Sequence, residues 1–519
     1  MGWAVLSGIL LGLAFPPTDW KLLAWIGLVP LFGAIASSRR PRTAFLYGYL
    51  AGLGFFLLTL HPLVSVHSWT GWAAESSDAY ALRMSRQWWF MQGIWAGFAV
   101  WCAVWWGAWA VLIRRVAPAG GWRLLAAAPA AWLVLPEAVR AVTTFGFSWA
   151  FLGNAAADLP AIRQWAAVGG VALLSALIVA VNAAVALVLA SPSGARRQRA
   201  CVAAALLMAG AWAGGRALLL MPLSAEGAMI PAAALQHHKP AYHTSDFART
   251  GLDRSYLPLV HQALQTGAKL IVLPESIALG TVSLDGSPSG AKPPEWQHAR
   301  AAWDAQLAGL LRGTGSTVVI GLDTVEEGRD HNTLVAWTEH GIAGRYHKRR
   351  LVPFSEYHPA GWGRWVIRGR SQYSFGQGSQ LITIDGTPVG GFICQEVLFP
   401  WVTRRSVRDG AQLLVSGGND GVFSDPAVAR VHADTAQLRA VEARRWIIRA
   451  MKTGISGIID PYGREVQRSR SEEPVILRYT VHARSGLTPS VRWGLWPLWV
   501  ALPVLLALAL YGPKAARQP

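Results

Sequence analysis

Val389-Gly390-Gly391-Phe392-Ile393-Cys394-Gln395-Glu396 is an apolar run that ends on a thiol and then an acid. Its first five residues read as a buried strand of an α/β domain, and the thiol stands where that strand stops. The chain has three cysteines, and Cys102 and Cys201 lie inside long apolar stretches. Cys394 therefore has no disulfide partner within its own domain. That leaves packing or chemistry as its purpose. A buried thiol is by default a small hydrophobe, so a chemical role requires partners elsewhere in the chain.

The segment around Cys394, residues 222–490, alternates short β-rich runs with helical stretches. Met229–Leu235, Leu270–Leu273, Thr317–Gly321, Thr333–Trp337, Val389–Ile393, Leu413–Ser416 and Ile455–Ile459 read as strands. Asp253–Thr266 and Ala427–Arg445 read as helices, the second with Val428, Val431, Leu438 and Val441 on roughly one face. Such alternation predicts an α/β domain with buried sheets. Gly280–Pro294, rich in Gly, Ser and Pro, reads as a flexible loop. That loop and Ala360–Gln377, which carries Trp362 and Trp365, are candidate lids.

Outside this segment the chain is far more apolar. Of its 519 residues 52% are hydrophobic and only 15% charged, with 27 tryptophans, a composition that excludes an ordinary soluble enzyme. Residues 1–221 predict a bundle of seven membrane spans, and residues 491–519 an eighth span and a tail. The spans read as Trp3–Phe15, Lys21–Ala36, Thr43–Leu60, Trp88–Ile113, Trp122–Val142, Ile162–Ala190, Ala200–Met221 and Trp493–Leu510. Most reach the roughly 20 apolar residues that a bilayer requires. The first two are short and separated by Pro16-Pro17, as two brief helices or one interrupted hairpin. Glu137, near the end of the fifth, reads as a boundary residue.

Basic clusters orient this bundle. Arg39, Arg40 and Arg42 follow span two, and Arg114, Arg115 and Arg123 lie after span four. Arg196, Arg197 and Arg199 follow span six, and Lys514 and Arg517 follow span eight. With alternating spans all four clusters share one side, which the positive-inside rule makes cytoplasmic. The α/β domain is then expected in the periplasm of a bacterial inner membrane. The net charge of +18 is carried largely by these loops, and no nucleic-acid-binding motif is visible. A nucleic-acid partner is not expected.

Two further polar residues stand where apolar runs end or basic loops begin. Ile271-Val272-Leu273-Pro274-Glu275 ends a strand on a carboxylate. Arg345-Tyr346-His347-Lys348-Arg349-Arg350 places a lysine before Leu351-Val352-Pro353-Phe354-Ser355-Glu356. Strand ends are where α/β sites assemble. A thiol with a pKa near ~8.5 needs a base at neutral pH, and Glu275 can take its proton. Lys348 supplies charge for a thiolate or an oxyanion. The chemistry needs no metal and no cofactor. Bland readings remain beside each residue: a turn carboxylate for Glu275, a solvated basic face for Lys348, structural ion pairs for Glu356 and Glu396.

Glu, Lys and Cys in this chain order resemble the nitrilase-superfamily triad. With the predicted spans and an external domain, the resemblance narrows to the apolipoprotein N-acyltransferase family. Gly12-Leu13-Ala14-Phe15-Pro16-Pro17 and Leu23-Ala24-Trp25-Ile26-Gly27-Leu28-Val29-Pro30-Leu31 are similar to that family's N-terminus. His347-Lys348-Arg349-Arg350-Leu351-Val352-Pro353-Phe354-Ser355-Glu356-Tyr357 is similar to its lysine motif. The resemblance implies a nitrilase-like αββα sandwich on a membrane bundle. It implies Glu275 as general base, Lys348 as oxyanion stabiliser and Cys394 as nucleophile, with Glu356 and Glu396 as supporting acids. It also implies a phospholipid acyl donor, a thioester on Cys394 and the α-amine of a diacylglyceryl-cysteine lipoprotein as acceptor, in a monomeric enzyme.

The chain departs from the family pattern at Gln395, at Asn419-Asp420-Gly421-Val422, at Ala450-Met451-Lys452-Thr453-Gly454 and at Gln236-His237-His238-Lys239-Pro240. Alternatives are a membrane-tethered nitrilase-type acyltransferase or amidase with another acceptor, such as one attached to a conjugation system, and a transporter or scaffold whose domain only binds.

Overall fold

The computed structural model describes residues 1–65, 77–118, 120–143, 148–192, 194–223, 226–237, 255–275, 277, 282–287, 294–353, 355–357, 373–423, 425–471 and 473–510. These fall into two compact units. One holds the helices up to Met221 and the chain from Trp493, and the other holds Pro222–Arg492.

In the first unit five helices are long and apolar enough to cross a membrane: Pro41–Ser65, Trp88–Val116, Trp122–Val142, Ile162–Ala190 and Ala195–Leu220. The remaining three of the eight expected spans are shorter. Gly2–Leu13 has 12 residues, about 18 Å at 1.5 Å per residue, well below a ~30 Å hydrocarbon core. The second expected span is broken into a 3₁₀ turn, Lys21–Trp25, and a nine-residue helix, Val29–Ser37. Proline rings at 16, 17 and 30 remove the N–H groups that a continuous helix would use. Side chains satisfy the freed backbone: Leu28 N–H donates to Asn182 Oδ1 at 2.8 Å, and Leu31 N–H to Ser7 Oγ at 2.8 Å. Trp496–Leu510 has 15 residues and contains Pro503.

Aromatic rings form much of this unit's interior. Trp106 stacks on Phe55 with centroids 5.1 Å apart and meets Trp132 edge-on at 4.7 Å. Glu137 is not a boundary residue. It is buried in a π-helical turn, Leu133–Val139, where Trp132 Nε1 and Leu152 N–H each donate to its Oε1 at 3.1 Å. Arg140, one turn on, donates to Trp149 O at 2.7 Å. A buried carboxylate requires such donors.

The second unit contains thirteen strands among the described residues. They are β1 Glu226–Gln236, β2 Leu270–Val272, β3 Val282–Ser283, β4 Thr317–Glu326, β5 Arg329–Thr338, β6 Gly341–His347, β7 Leu381–Ile384, β8 Thr387–Ile393, β9 Leu413–Gly418, β10 Ile447–Met451, β11 Gly457–Ile459, β12 Glu465–Arg468 and β13 Val475–Arg484. The first sheet runs β13-β1-β2-β4-β5-β6, with β3 on β4, and the second runs β12-β11-β10-β9-β8-β7. The sheets face one another through β1, β2, β4, β5 and β6 on one side and β8, β9 and β10 on the other.

Helices cover the outer faces. Tyr256, Val260 and Ala263 of Tyr256–Gln265, and Trp303, Leu307 and Leu311 of Pro294–Leu311, close one core with Leu235, Ile271, Val318 and Ile320 of the first sheet. Pro400–Arg408 packs on β8, and Pro426–Ala443 packs on β11 and on the turn after β8. The order helix, sheet, sheet, helix is the αββα sandwich expected from the resemblance.

Several elements differ from the sequence expectation. The expected strand 455–459 is shortened to β11, because the chain first reverses after β10, where Met451 N–H donates to Ser456 Oγ at 2.8 Å. Gly280–Pro294 is not a loop throughout: Val282 and Ser283 pair with Thr324 and Val325, and Pro294 opens a helix. The second candidate lid lies outside the described residues as far as 372, Trp362 and Trp365 included.

Candidate active site

Three chain reversals bring the site together. β2 stops because Pro274 has no N–H for the ladder, and Glu275 follows it, buried. The hairpin β5–β6 delivers Lys348 just past its end, where Lys348 N–H donates to Asn332 O at 2.8 Å. β8 ends at Ile393, and Cys394 turns into a 3₁₀ segment, Cys394–Leu398, with a left-handed φ of 51°. A non-glycine residue held in that region at the head of a turn is a strained, over-determined position of the kind found at reactive nucleophiles.

Lys348 is fully enclosed, not part of a solvated face. Its Nζ lies 2.8 Å from Glu356 Oε1 and 3.5 Å from Glu275 Oε1. Burial disfavours the ammonium, but Glu356, and after it Glu275, outweigh burial and hold the lysine well above its ordinary pKa. The lysine is therefore a fixed cation. Glu356 Oε2 accepts from Val352 N–H at 2.7 Å, which closes the turn that brings it back over Lys348.

Glu396 lies on the other side of the lysine loop. Its Oε1 accepts from Arg349 N–H at 2.7 Å and Arg350 N–H at 2.8 Å. Its Oε2 accepts from Ile393 N–H at 2.7 Å and Tyr346 OH at 3.0 Å. One carboxylate thus ties the residues after Lys348 to the turn that carries Cys394. Burial pushes its pKa up to about 7, against the opposing pull of Lys348 and the backbone donors.

Cys394 is half-buried. Burial pushes the thiol well above its usual range, Glu275 adds to that, and Lys348 opposes it. The thiol is therefore protonated at rest and needs a base at the moment of attack. Asn419 N–H donates to it. The end of β9 separates the two reactive groups by little more than backbone. A Cβ on Gly418 would stand 3.2 Å from Cys394 Cα, and one on Gly417 would stand 3.3 Å from Glu275 N.

Known proteins resemble this chain along its whole length. Residues 7–184 match a family model described as the apolipoprotein N-acyltransferase N-terminal domain, and residues 232–483 one described as carbon-nitrogen hydrolase. The chain is 31% identical to an apolipoprotein N-acyltransferase of Gloeobacter violaceus, over 99% of this chain and 94% of that protein. It is 30% identical to one from Pseudomonas aeruginosa, over 100% and 98%. The chain belongs to the apolipoprotein N-acyltransferase family. Among solved structures, an amidase from Nesterenkonia sp. is 20% identical, with a TM-score of 0.36 over 51% of this chain and 94% of that one. A Saccharomyces cerevisiae member of branch 10 of the nitrilase superfamily is 17% identical, with a TM-score of 0.36 over 50% and 93%.

The structure brings Glu275, Lys348 and Glu356 into one buried cluster, with Cys394 in electrostatic reach. Glu396 braces the cluster from outside. Two sets of residues escaped the sequence reading. Asn332 Nδ2 donates to Glu275 Oε1 at 2.6 Å and to Glu356 Oε1 at 2.9 Å. Its signal was the β5–β6 hairpin, which sets position 332 opposite the lysine. Asp420 is the second. Burial pushes its carboxyl up, but His432 Nδ1 at 2.7 Å and Arg449 Nη2 at 3.2 Å hold it below the usual carboxylate range. These bonds lock the loop after β9 to β10 and to the helix Pro426–Ala443.

Gly321, in β4, lies directly against Glu275. A Cβ there would stand 2.5 Å from Glu275 Cα and 2.7 Å from Pro274 O. Gly321→Ala is therefore expected to displace Glu275 and to cost about 1–3 kcal/mol in overpacking. Thermal melting of the variant checks this, and a wild-type melting temperature would contradict it.

Proposed function

We propose that this chain transfers an acyl chain from a phospholipid to the N-terminal amine of a diacylglyceryl-cysteine lipoprotein, through a thioester on Cys394. Glu275 takes the thiol proton as Cys394 attacks the ester carbonyl, and the ammonium of Lys348 faces the oxyanion that develops. Collapse of the intermediate expels the lysophospholipid oxygen, which takes the proton from Glu275. The acceptor amine then attacks the thioester, gives its proton to Glu275 and releases Cys394, which recovers a proton. Glu356 keeps the lysine charged throughout, and Glu396 keeps its loop against the Cys394 turn.

The observation that carries this reading is a fixed, buried ammonium between two carboxylates beside a thiol on a strained turn. Both substrates are lipids, which accounts for a catalytic unit tethered to apolar helices. We read the three short helices as crossings too, giving about eight spans in a bacterial inner membrane. The four basic clusters then lie in the cytoplasm and the catalytic unit in the periplasm, working as a monomer.

The test is complementation. In a strain depleted of its own lipoprotein N-acyltransferase, expression of this chain is expected to restore growth and N-acylated lipoproteins, detected by mass spectrometry. Failure to restore them, with a phospholipid-derived acyl group still appearing on Cys394, would move the acceptor to another amine. No acyl group on Cys394 would remove the mechanism.

A further inference from the structure

The two carboxylates that face Lys348 are held by a single amide. We propose that Asn332 is a positioning residue that fixes Glu275 as the proton acceptor of Cys394, by occupying Oε1 and leaving Oε2 for the thiol. This rests on the acyl-transfer reading above.

Asn332 is buried in β5. Its own carbonyl accepts the Lys348 N–H, so the backbone that carries the lysine also carries the amide. The shortest contact on Glu275 is the 2.6 Å bond from Asn332, not the lysine at 3.5 Å. Lys348 leans toward Glu356, so the lysine alone does not fix the base. Among the described residues, Glu275 Oε2 has no hydrogen-bond donor. An oxygen left free beside one that is pinned is the oxygen available to take a proton.

The amide's orientation is dictated by charge. Turned over, it would set Oδ1 against two carboxylate oxygens. As it stands, Oδ1 is buried and has no hydrogen-bond partner among the described residues. The side chain leaves its own acceptor unsatisfied in order to donate to both acids. Asparagine meets these needs with no charge of its own. Aspartate of the same size would set a third anion against the pair.

The experiment uses the full-length protein in phospholipid-containing detergent micelles. Acylation is followed as lysophospholipid release and as thioester mass on Cys394, from pH 5 to 9. Asn332→Ala is expected to lower the acylation rate by about 10²-fold, the scale of a misplaced catalytic group. Its KM for phospholipid is expected to stay within about twofold, because uniform binding is untouched. Asn332→Asp is expected to move the acid limb of the rate profile up by about one pH unit or more, because an added anion makes the cluster hold its protons to higher pH.

If Asn332→Ala fails to fold, the isosteric Asn332→Asp carries the test alone. An unmoved acid limb in that variant overturns the proposal, whether or not its rate falls, because a merely structural loss leaves the limb in place. So does a wild-type rate in Asn332→Ala. If wild-type Cys394 itself forms no thioester in this assay, the acyl-transfer reading fails instead.

Discussion

Cys394→Ala is expected to abolish acyl transfer while leaving the protein folded and in the membrane. Cys and Ala both carry a Cβ and meet the same left-handed backbone at φ 51°, so the exchange leaves the turn's strain unchanged. What it removes is the sulfur that would hold the acyl group. Loss of a covalent nucleophile lowers the rate by a factor on the order of 10⁴ or more, because the other groups then have no attacking atom to serve. The measurement is the N-acylated fraction of lipoproteins in a depleted strain, with melting temperature and membrane yield alongside. A variant with normal yield that still completes the lipoproteins would end the assignment of Cys394.

Lys348→Met is expected to damage both activity and stability, and the stability loss should depend on pH. Methionine keeps the length of the side chain but leaves Glu275 and Glu356 facing each other in a buried site, with only Asn332 and backbone donors. Removing one partner of a buried charge cluster costs about 3–5 kcal/mol. Loss of an oxyanion donor lowers the rate by about 10²–10³-fold.

The sign of the pH effect follows from the crowded carboxylates. Without the ammonium their folded pKa rises above the unfolded value near ~4.3. A raised carboxylate pKa makes folding least costly at low pH and progressively more costly as pH rises through the raised value. The gap between wild type and variant should therefore be wide at neutral pH and narrow toward pH ~5. Melting at both pH values checks it. Adding Glu356→Gln is expected to restore stability but not activity, since it removes a buried charge without replacing the donor. An equal deficit at both pH values would mean that the ammonium is not what keeps the carboxylates ionised.

The residues legible in the sequence share one property. Glu275 and Cys394 each end an apolar run and Lys348 stands just before one, and a polar group at such a point must find partners inside the fold. The strands that lead to two of them, β2 and β8, are nearly continuous apolar runs, because both faces of a sandwich strand are covered. β6 and β13 were missed for the opposite reason. They lie at one edge of a sheet each, or near it, and carry Arg345 and Arg478 on exposed faces, so their alternation is blurred. The helix Pro294–Leu311 was missed because its apolar residues are scattered around the axis. The short membrane helices were legible in place but not in length, since Pro16 and Pro17 follow the end of one helix and Pro30 opens another without making the surrounding residues any less apolar.

Asn332 shows where local reading stops. It begins an apolar run, as turn residues often do, and only the pairing of β5 with β6 reveals that it stands opposite Lys348.

By itself the sequence determined the two classes of segment and the α/β alternation of the second, which follow from short-range patterns of polarity that burial enforces residue by residue. The αββα sandwich and the roles of Glu275, Lys348 and Cys394 were what the family resemblance implied. Only the tertiary structure decided that the lysine pairs chiefly with Glu356 and that one amide holds both carboxylates. Those outcomes depend on separations of 2.6 to 3.5 Å between groups that the chain keeps up to 73 residues apart. Electrostatic and hydrogen-bond energies change steeply over such distances. The distances are set by how two sheets stack, which no single stretch of the chain records.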